Sequence, residues 1–187
     1  MADTQTWPFV AARHFKEPSS PRAVRLVVIH DMEFPEKVSA AEDVARYFAT
    51  TATPASAHIC VDSDSIVQCV YDRNIAYAAP GANHDGIQVE LAGYGRQTRA
   101  EWLDRYGVAM LAHAADAVSQ YAIKFDIPLV HLTNAQLKAG EHGVIGHYQA
   151  SQVYRKSDHT DPGPGFPWSY FMGSARLFHA ERTRGVA

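Results

Sequence analysis

Two histidines and one aspartate occupy positions from which they could bind a metal ion. His30 directly follows the apolar run RLVVI, His147 follows GVIG, and Asp161 precedes Pro162 in a segment with the composition of a loop. A catalytic zinc needs three protein ligands and one open position for water. Taken singly, a histidine at a strand end is more often a structural residue, and an aspartate before proline is a common turn former. Spacing alone therefore leaves the metal site a hypothesis.

The elements expected to position these residues form one α/β domain, in which a central sheet is flanked by helices. The β-branched run at residues 24–29 predicts a buried strand that ends on His30. Ser39 and Glu42 resemble a capping box, which predicts the start of a helix. The apolar residues with helical spacing in this helix are Val44, Tyr47 and Phe48.

Further patterns predict three more strands and two more helices. The predicted strands comprise residues 58–61, 66–70 and 86–91. The longest helix is predicted at about residues 99–125, from a core-facing stripe that consists of Leu103, Gly107, Met110, Ala114, Val118, Tyr121 and Phe125. The other predicted elements are extended segments at 127–130 and 143–147, a loop at 157–168, and a short final helix that carries Tyr170, Phe171 and Leu177.

Composition excludes several classes of function. The net charge is −3 and the chain has no run of Lys and Arg, which argues against a nucleic-acid partner. The longest apolar runs are far too short to cross a membrane, and the first residues do not have the pattern of a secretory signal.

The two cysteines, Cys60 and Cys69, flank a predicted turn. We expect both to be reduced and to act as small apolar residues in a sheet.

Five motifs, in order, resemble those of one known family. They are VVIH ending at His30, SAHICVD around His58, GIQVELAG around Glu90, GVIGH ending at His147, and HTDPGPGFPW from His159. Together they cover about residues 25–168 and resemble the type 2 N-acetylmuramoyl-L-alanine amidases, which include phage lysins and the peptidoglycan recognition proteins. The chain is most similar to the amidase domains of phage endolysins.

The resemblance implies a mixed sheet of five or six strands with a zinc cleft on one face. It also implies one Zn²⁺ per chain, bound by His30, His147 and Asp161, and an acid/base role for Glu90. The alternation of Glu90 with its apolar neighbours also fits a polar residue on the solvent face of a strand. His159 stands where many members have a lysine that can stabilise an oxyanion.

Other positions either depart from the family pattern or have weaker predictions. Ala57 stands where some members have a tyrosine, and Gln88 replaces a residue that is usually small. His58 is expected to line the cleft or to support the zinc ligands. The residues expected as cleft walls are Tyr77, Asn83 and Trp168, although core packing explains them equally well. His113 borders the apolar stripe of the long helix and is expected to pack or to lie at the surface rather than to bind a metal. No role is assigned to His14, His84, His131, His142 and His179.

The resemblance implies hydrolysis of the amide between N-acetylmuramic acid and L-alanine in peptidoglycan. The expected organisation is an N-terminal arm (1–22), a catalytic domain (23–175) and a C-terminal tail (176–187). We expect a monomer, with a wall-binding domain if the chain is part of a longer protein, and without a nucleic-acid partner or membrane insertion. The expected role is that of a phage or prophage endolysin, made in the bacterial cytoplasm and acting on the wall after holin-type release.

Two alternatives use the same residues. One is a cytoplasmic amidase that recycles soluble muropeptides, and the other is a module that binds peptidoglycan without cutting it. A generic zinc peptidase is less consistent with the sequence, because the chain has no HExxH motif.

Overall fold

The structure is a computed structural model that describes residues 7–184. Residues 1–6 of the predicted arm and 185–187 of the predicted tail lie outside the described residues. The elements, in chain order, are β1 (Leu26–Asp31), α1 (Ala40–Thr50), β2 (Ile59–Val61), β3 (Ile66–Gln68), β4 (Gly86–Leu91), α2 (Arg99–Trp102), α3 (Arg105–Phe125), α4 (Asn134–Lys138), β5 (Gly143–Gly146), α5 (His147–Tyr154) and α6 (Trp168–Arg184).

Five strands form one mixed sheet in the order β3-β2-β4-β1-β5, which confirms the predicted α/β architecture. Strand β1 lies between β4 and β5 and is parallel to both, β2 is parallel to β4, and only β3 is antiparallel to its neighbour. Parallel strands are covered on both faces by helices, and for this reason β1 is buried at all six of its residues.

Alternation along the strands separates an apolar face of the sheet from a face that carries polar groups. Ile87, Val89 and Leu91 of β4 belong to the large core that also contains residues of α3 and α6. Gln88 and Glu90 therefore point to the opposite face, because successive side chains of a strand alternate. On β1, Leu26 and Val28 share that second face with residues of α4 and α5.

The predicted capping box of α1 is not formed. Ser39 precedes the helix with a φ of 75° and its side chain makes no capping hydrogen bond. Asp62, after β2, takes this role instead, because its Oδ2 accepts a hydrogen bond from the Ala41 amide at 3.0 Å. Of the apolar residues with helical spacing in α1, Tyr47 has 50% of its surface exposed, whereas Phe48 is buried.

The long predicted helix is two helices. The chain leaves helical geometry at Leu103, and Asp104 caps the start of α3 by accepting a hydrogen bond from the Gly107 amide at 2.8 Å. Helices α4 and α5 were not predicted, because both are short and have no long apolar repeat. The final helix was expected to be short, yet α6 has 17 residues and contains the predicted domain boundary at residue 175.

Both cysteines are buried and unpaired, with 3.8 Å between their Sγ atoms across the β2–β3 hairpin. Among the described residues, no helix combines the length and apolar character that crossing a membrane requires.

Candidate active site

The ends of two parallel strands bring His30 and His147 together. His30 is the fifth residue of β1, and His147 directly follows β5 as the first residue of α5. Because β1 and β5 are parallel neighbours, their carboxyl ends lie at the same edge of the sheet. The two imidazole rings are 4.7 Å apart between centroids, and both side chains are almost completely buried.

Asp161 completes the group from the loop between α5 and α6. Its Oδ2 lies 3.0 Å from Nδ1 of His30, and its Oδ1 lies 3.2 Å from Nδ1 of His147. One ligand atom from each of the three residues can be chosen so that all three lie within 4.8 Å of one another. No other such group of histidine, cysteine or acidic side chains occurs in residues 7–184.

Glycines hold the loop of Asp161 against the segment that follows β4. A Cβ on Gly163 would lie 1.8 Å from the carbonyl oxygen of Gly95, and a Cβ on Gly165 would lie 2.0 Å from that of Gln97. The backbone carbonyl of Asp161 also accepts a hydrogen bond from the Tyr148 amide at 3.0 Å. Glycine at positions 163 and 165 is thus required by a close approach of two backbones.

The charges in this group are strongly coupled. Burial opposes the charged form of His30, but the contact with Asp161 and the charge of Glu90 outweigh it and raise the pKa of His30 to about 9. Burial likewise opposes the charge of Asp161, but the contacts with His147 and His30 hold the pKa of that carboxyl well below its usual range. Burial lowers the pKa of His147, and its contact with Asp161 opposes this effect.

These residues fit a zinc ion. Two imidazole nitrogens and one carboxylate oxygen are a usual set of ligands for a catalytic zinc. Asp161 Oδ1 is buried and has no partner of good hydrogen-bond geometry, so a cation would satisfy it. The second ring nitrogen of each histidine already has a polar partner, since Nε2 of His30 meets Gln88 and Nε2 of His147 meets Ser157.

Glu90 lies beside His30 on the neighbouring strand. The two residues are direct register partners of β4 and β1, and Glu90 is half-buried and lines the same cavity as the three candidate ligands. Burial raises the pKa of Glu90 to about 8; the charge of His30 opposes this rise, and the charges of Asp161 and Asp31 add to it. A carboxyl with such a pKa can both take up and release a proton near neutral pH.

His159 reaches the group from the cavity side. Its ring stacks on His147, with 4.3 Å between centroids and an interplanar angle of 15°, and its Nδ1 lies 3.4 Å from Oδ1 of Asp161. The side chain is 60% exposed, so it is accessible to a bound substrate.

The cavity that His30, His147 and Asp161 line has a volume of about 1300 Å³. Tyr77 and Asn83 both line it, and α1 contributes an apolar side that includes Val44, Tyr47 and Phe48. The half-exposed Tyr47 is therefore a cavity residue.

His58 and Trp168 do not line this cavity within the described residues. His58 is completely buried, where Nδ1 accepts a hydrogen bond from the Gln88 amide at 2.9 Å and Nε2 lies 3.2 Å from the carbonyl of Asn74. Trp168 stacks on His131 at 3.7 Å between centroids, which also gives this unassigned histidine a packing role. Neither residue is a cleft wall: Trp168 packs against an aromatic neighbour, the alternative that the sequence left open. His58 contacts Gln88, which in turn contacts His30, in line with the second role expected for it.

Two polar residues that lie at the site had no role assigned from the sequence. Asp31 is buried at the cavity next to His30, and burial raises its pKa to about 7. Gln88 is completely buried and contacts His30. One feature of the sequence could have indicated a role for Gln88: a large amide side chain stands where the family usually has a small residue.

Comparisons with known proteins agree with this geometry. A family model described as N-acetylmuramoyl-L-alanine amidase matches residues 20–164, while no curated protein matches the chain. Similar solved structures include the Staphylococcus aureus hydrolase AmiA with its ligand (TM-score 0.69, 17% identity, 96% of this chain and 82% of that chain). Others are a mutant endolysin from Bacillus subtilis (0.61, 17%, 90% and 97%) and a derivative of AmpD (0.61, 19%, 91% and 95%).

At these identities the solved structures support the fold, and the family model covers well over half of the chain. The chain therefore belongs to the N-acetylmuramoyl-L-alanine amidase family.

Proposed function

We propose that this chain is a zinc-dependent enzyme that hydrolyses the amide between N-acetylmuramic acid and L-alanine in peptidoglycan. The observation that carries the proposal is the convergence of His30, His147 and Asp161 at one end of a cavity, with Glu90 beside them. Three protein ligands are the number that a catalytic zinc uses, with its fourth position kept for water. A module that only binds peptidoglycan does not need, next to these ligands, a carboxyl that can take up and release a proton near neutral pH.

The protein residues have separable roles in the proposed reaction. The zinc ion that His30, His147 and Asp161 would hold would lower the pKa of water toward ~7 and would polarise a carbonyl oxygen. Glu90 takes the proton of the attacking water on a carboxylate oxygen and returns it to the leaving amine of L-alanine. A nearby divalent cation favours the carboxylate form of Glu90, which is the form that a base requires.

His159 is the proposed donor to the substrate carbonyl oxygen as this atom gains negative charge. Its exposed position beside Asp161 supports this role. Tyr77 and Asn83 are the proposed cavity walls for the sugar or the stem peptide.

We also propose a lytic role in the cell wall, as in an endolysin, with access to the wall after holin-type release. A cavity open to solvent and the similarity to an endolysin structure support this role. The alternative is recycling of soluble muropeptides, and the similarity to AmpD supports that reading.

We further propose that the chain is a monomer. Size-exclusion chromatography with light scattering tests this proposal.

The bond that is cut can be identified by mass spectrometry of purified sacculi after digestion. We expect stem peptides with a free N-terminal L-alanine and glycan strands with an intact lactyl group. New reducing sugar ends, or cuts within the stem peptide, would overturn the proposal. Comparing rates on intact sacculi with rates on soluble muropeptides tests the lytic role, which predicts faster release from sacculi.

A further inference from the structure

Gln88 makes a side-chain contact that none of the roles above explains. It lies on β4, two residues before Glu90, and its side chain is completely buried. Its Oε1 is 2.9 Å from Nε2 of His30, and its Nε2 donates a hydrogen bond to the carbonyl of Ala82 at 3.1 Å. Two side chains on the same face of β4 therefore lie next to His30: Gln88 contacts its ring, and Glu90 is its register partner.

The partners of this amide determine which way it points. The carbonyl of Ala82 can only accept a hydrogen bond, so the NH₂ group of Gln88 faces Ala82 and the amide oxygen faces His30. An amide oxygen can only accept, and Nε2 of His30 must therefore carry a hydrogen. Neutral His30 then has its lone pair on Nδ1, the atom that lies 3.0 Å from Asp161.

The amide is closely surrounded by its neighbours. A Cβ on Gly86 would lie 2.9 Å from Nε2 of Gln88 and 2.5 Å from the carbonyl oxygen of Ala82, so glycine is needed there. The backbone of Gln88 is fixed on its other side by His58, which donates from its amide to the Gln88 carbonyl at 3.0 Å and accepts from the Gln88 amide at Nδ1.

His58 is itself held in place. Burial and the charge of Arg22 lower the pKa of His58, so its ring stays neutral and its Nδ1 remains an acceptor. Nε2 lies near the carbonyl of Asn74 and the guanidinium of Arg22. A connected series of buried polar groups thus extends from His30, through Gln88 and His58, to the loop of Asn74.

We propose that Gln88 is a positioning residue, which holds His30 in the tautomer and ring orientation that present Nδ1 to the metal ion. The inference rests on the proposed zinc site. Hydrogen-bond partners of metal-binding histidines commonly change metal affinity by about 10–100-fold when they are removed. Gln88 does this from the strand that also carries Glu90, so one element aligns the ligand and the base.

Two substitutions separate this role from a purely structural one. Gln88→Met keeps a similar volume but removes both the acceptor toward His30 and the donor toward Ala82. Gln88→Glu keeps the acceptor toward His30, loses the donor toward Ala82 and adds an ionisable carboxyl. The matched control is Gln68→Met, because Gln68 is also a buried glutamine in the sheet and contacts Asp72 but none of the three candidate ligands.

Zinc affinity is measured at fixed pH by competition with a chromophoric chelator, and the His30 ring nitrogens are observed by long-range ¹H–¹⁵N NMR of the zinc-loaded protein. We expect Gln88→Met to weaken zinc binding by about 10–100-fold. We expect Gln88→Glu to stay within about threefold of the parent, since its acceptor toward the histidine is retained. Thermal denaturation should show that all three variants, including the control, are less stable than the parent.

Three outcomes would overturn the inference: parent-like affinity in Gln88→Met, equal weakening in the Met and Glu variants, or a His30 spectrum with Nε2 bound to zinc. If the parent itself binds no zinc, the proposed function fails first. None of these measurements uses peptidoglycan, so a wrong assignment of the substrate leaves the result for Gln88 unaffected.

Discussion

His30 and Glu90 are register partners on adjacent parallel strands, although 60 positions separate them in the chain. The pairing places a candidate metal ligand and a carboxyl whose pKa is raised to about 8 side by side at one end of the sheet. Each group changes the ionisation of the other, because the charge of Glu90 raises the pKa of His30 and the charge of His30 opposes the rise at Glu90.

Replacing Glu90 with Gln tests its role as the base. The amide keeps the size of the side chain but cannot take up the proton, so we expect turnover of peptidoglycan to fall by roughly 10²–10⁴-fold. Zinc content, measured by elemental analysis, should be unchanged. Glu141→Gln, at an exposed position remote from the cavity, is the control and should have the parent rate. A near-normal rate for Glu90→Gln would place the base elsewhere.

Removal of one ligand tests the metal site. We expect His147→Ala to lose most of its zinc and its activity, because two ligands cannot hold the ion at a catalytic site. His179→Ala, on the outer part of α6, should keep both properties. Dialysis against a chelator should abolish the activity of the parent, and added zinc should restore it. Full activity of metal-free protein would contradict the mechanism.

His159 is expected to act on the substrate oxygen. His159→Ala should reduce turnover by about 10²-fold or more, as for the loss of one oxyanion donor. His159→Lys should retain substantial activity and change the acidic side of the pH–rate profile, because lysine stays charged to about pH 10. The assay is peptidoglycan cleavage from pH 5 to 9 with zinc content as the control. Equal rates for the alanine variant and the parent would make His159 a loop residue without a catalytic role.

Gly163 should be intolerant of alanine. Its φ is 86° and a Cβ would lie 1.8 Å from the carbonyl oxygen of Gly95, so the loop that carries Asp161 must move. We expect Gly163→Ala to cost about 3 kcal/mol of unfolding free energy and to weaken zinc binding. Gly140 is the matched control, with a φ of 84° and no atom within 4 Å of a Cβ, and its substitution should cost only about 1 kcal/mol. Equal costs in urea denaturation would contradict the close approach.

The stability of the metal-free protein should fall as the pH rises from 6.5 to 9. The stabilisation from charged His30 is complete below its unfolded pKa of about 6.5 and is lost as the pH approaches 9. Glu90 acts in the same direction, since the folded state keeps its proton to about pH 8 while the unfolded state loses it near pH ~4.3. The folded state thus binds more protons, and we expect a decrease on the order of 3 kcal/mol.

Urea denaturation at several pH values, with chelator and with zinc, measures this effect. Zinc takes the place of the proton at His30, so its stabilising effect should grow with pH over the same interval. A metal-free protein whose stability is constant or rises between pH 6.5 and 9 would show that these groups are not coupled as the geometry indicates.

The sequence by itself determined the strands and the ends of the strands that bear the site. Residues such as Val27, Val28 and Ile29 form a β-branched run that can be read locally, and the motifs around His30, His147 and Asp161 identified the family that the chain belongs to. These features are visible because hydrophobic periodicity and motif spacing are properties of neighbouring residues.

Tertiary structure decided the features that depend on distant partners. Asp62, rather than Ser39, caps α1. Tyr47 lines the cavity, and His58 is completely buried. The contact of Gln88 with His30 joins residues 58 positions apart. Sheet order and loop packing decide such contacts, because a hydrogen bond requires two groups within about 3 Å and the local pattern of either residue contains no information on that distance.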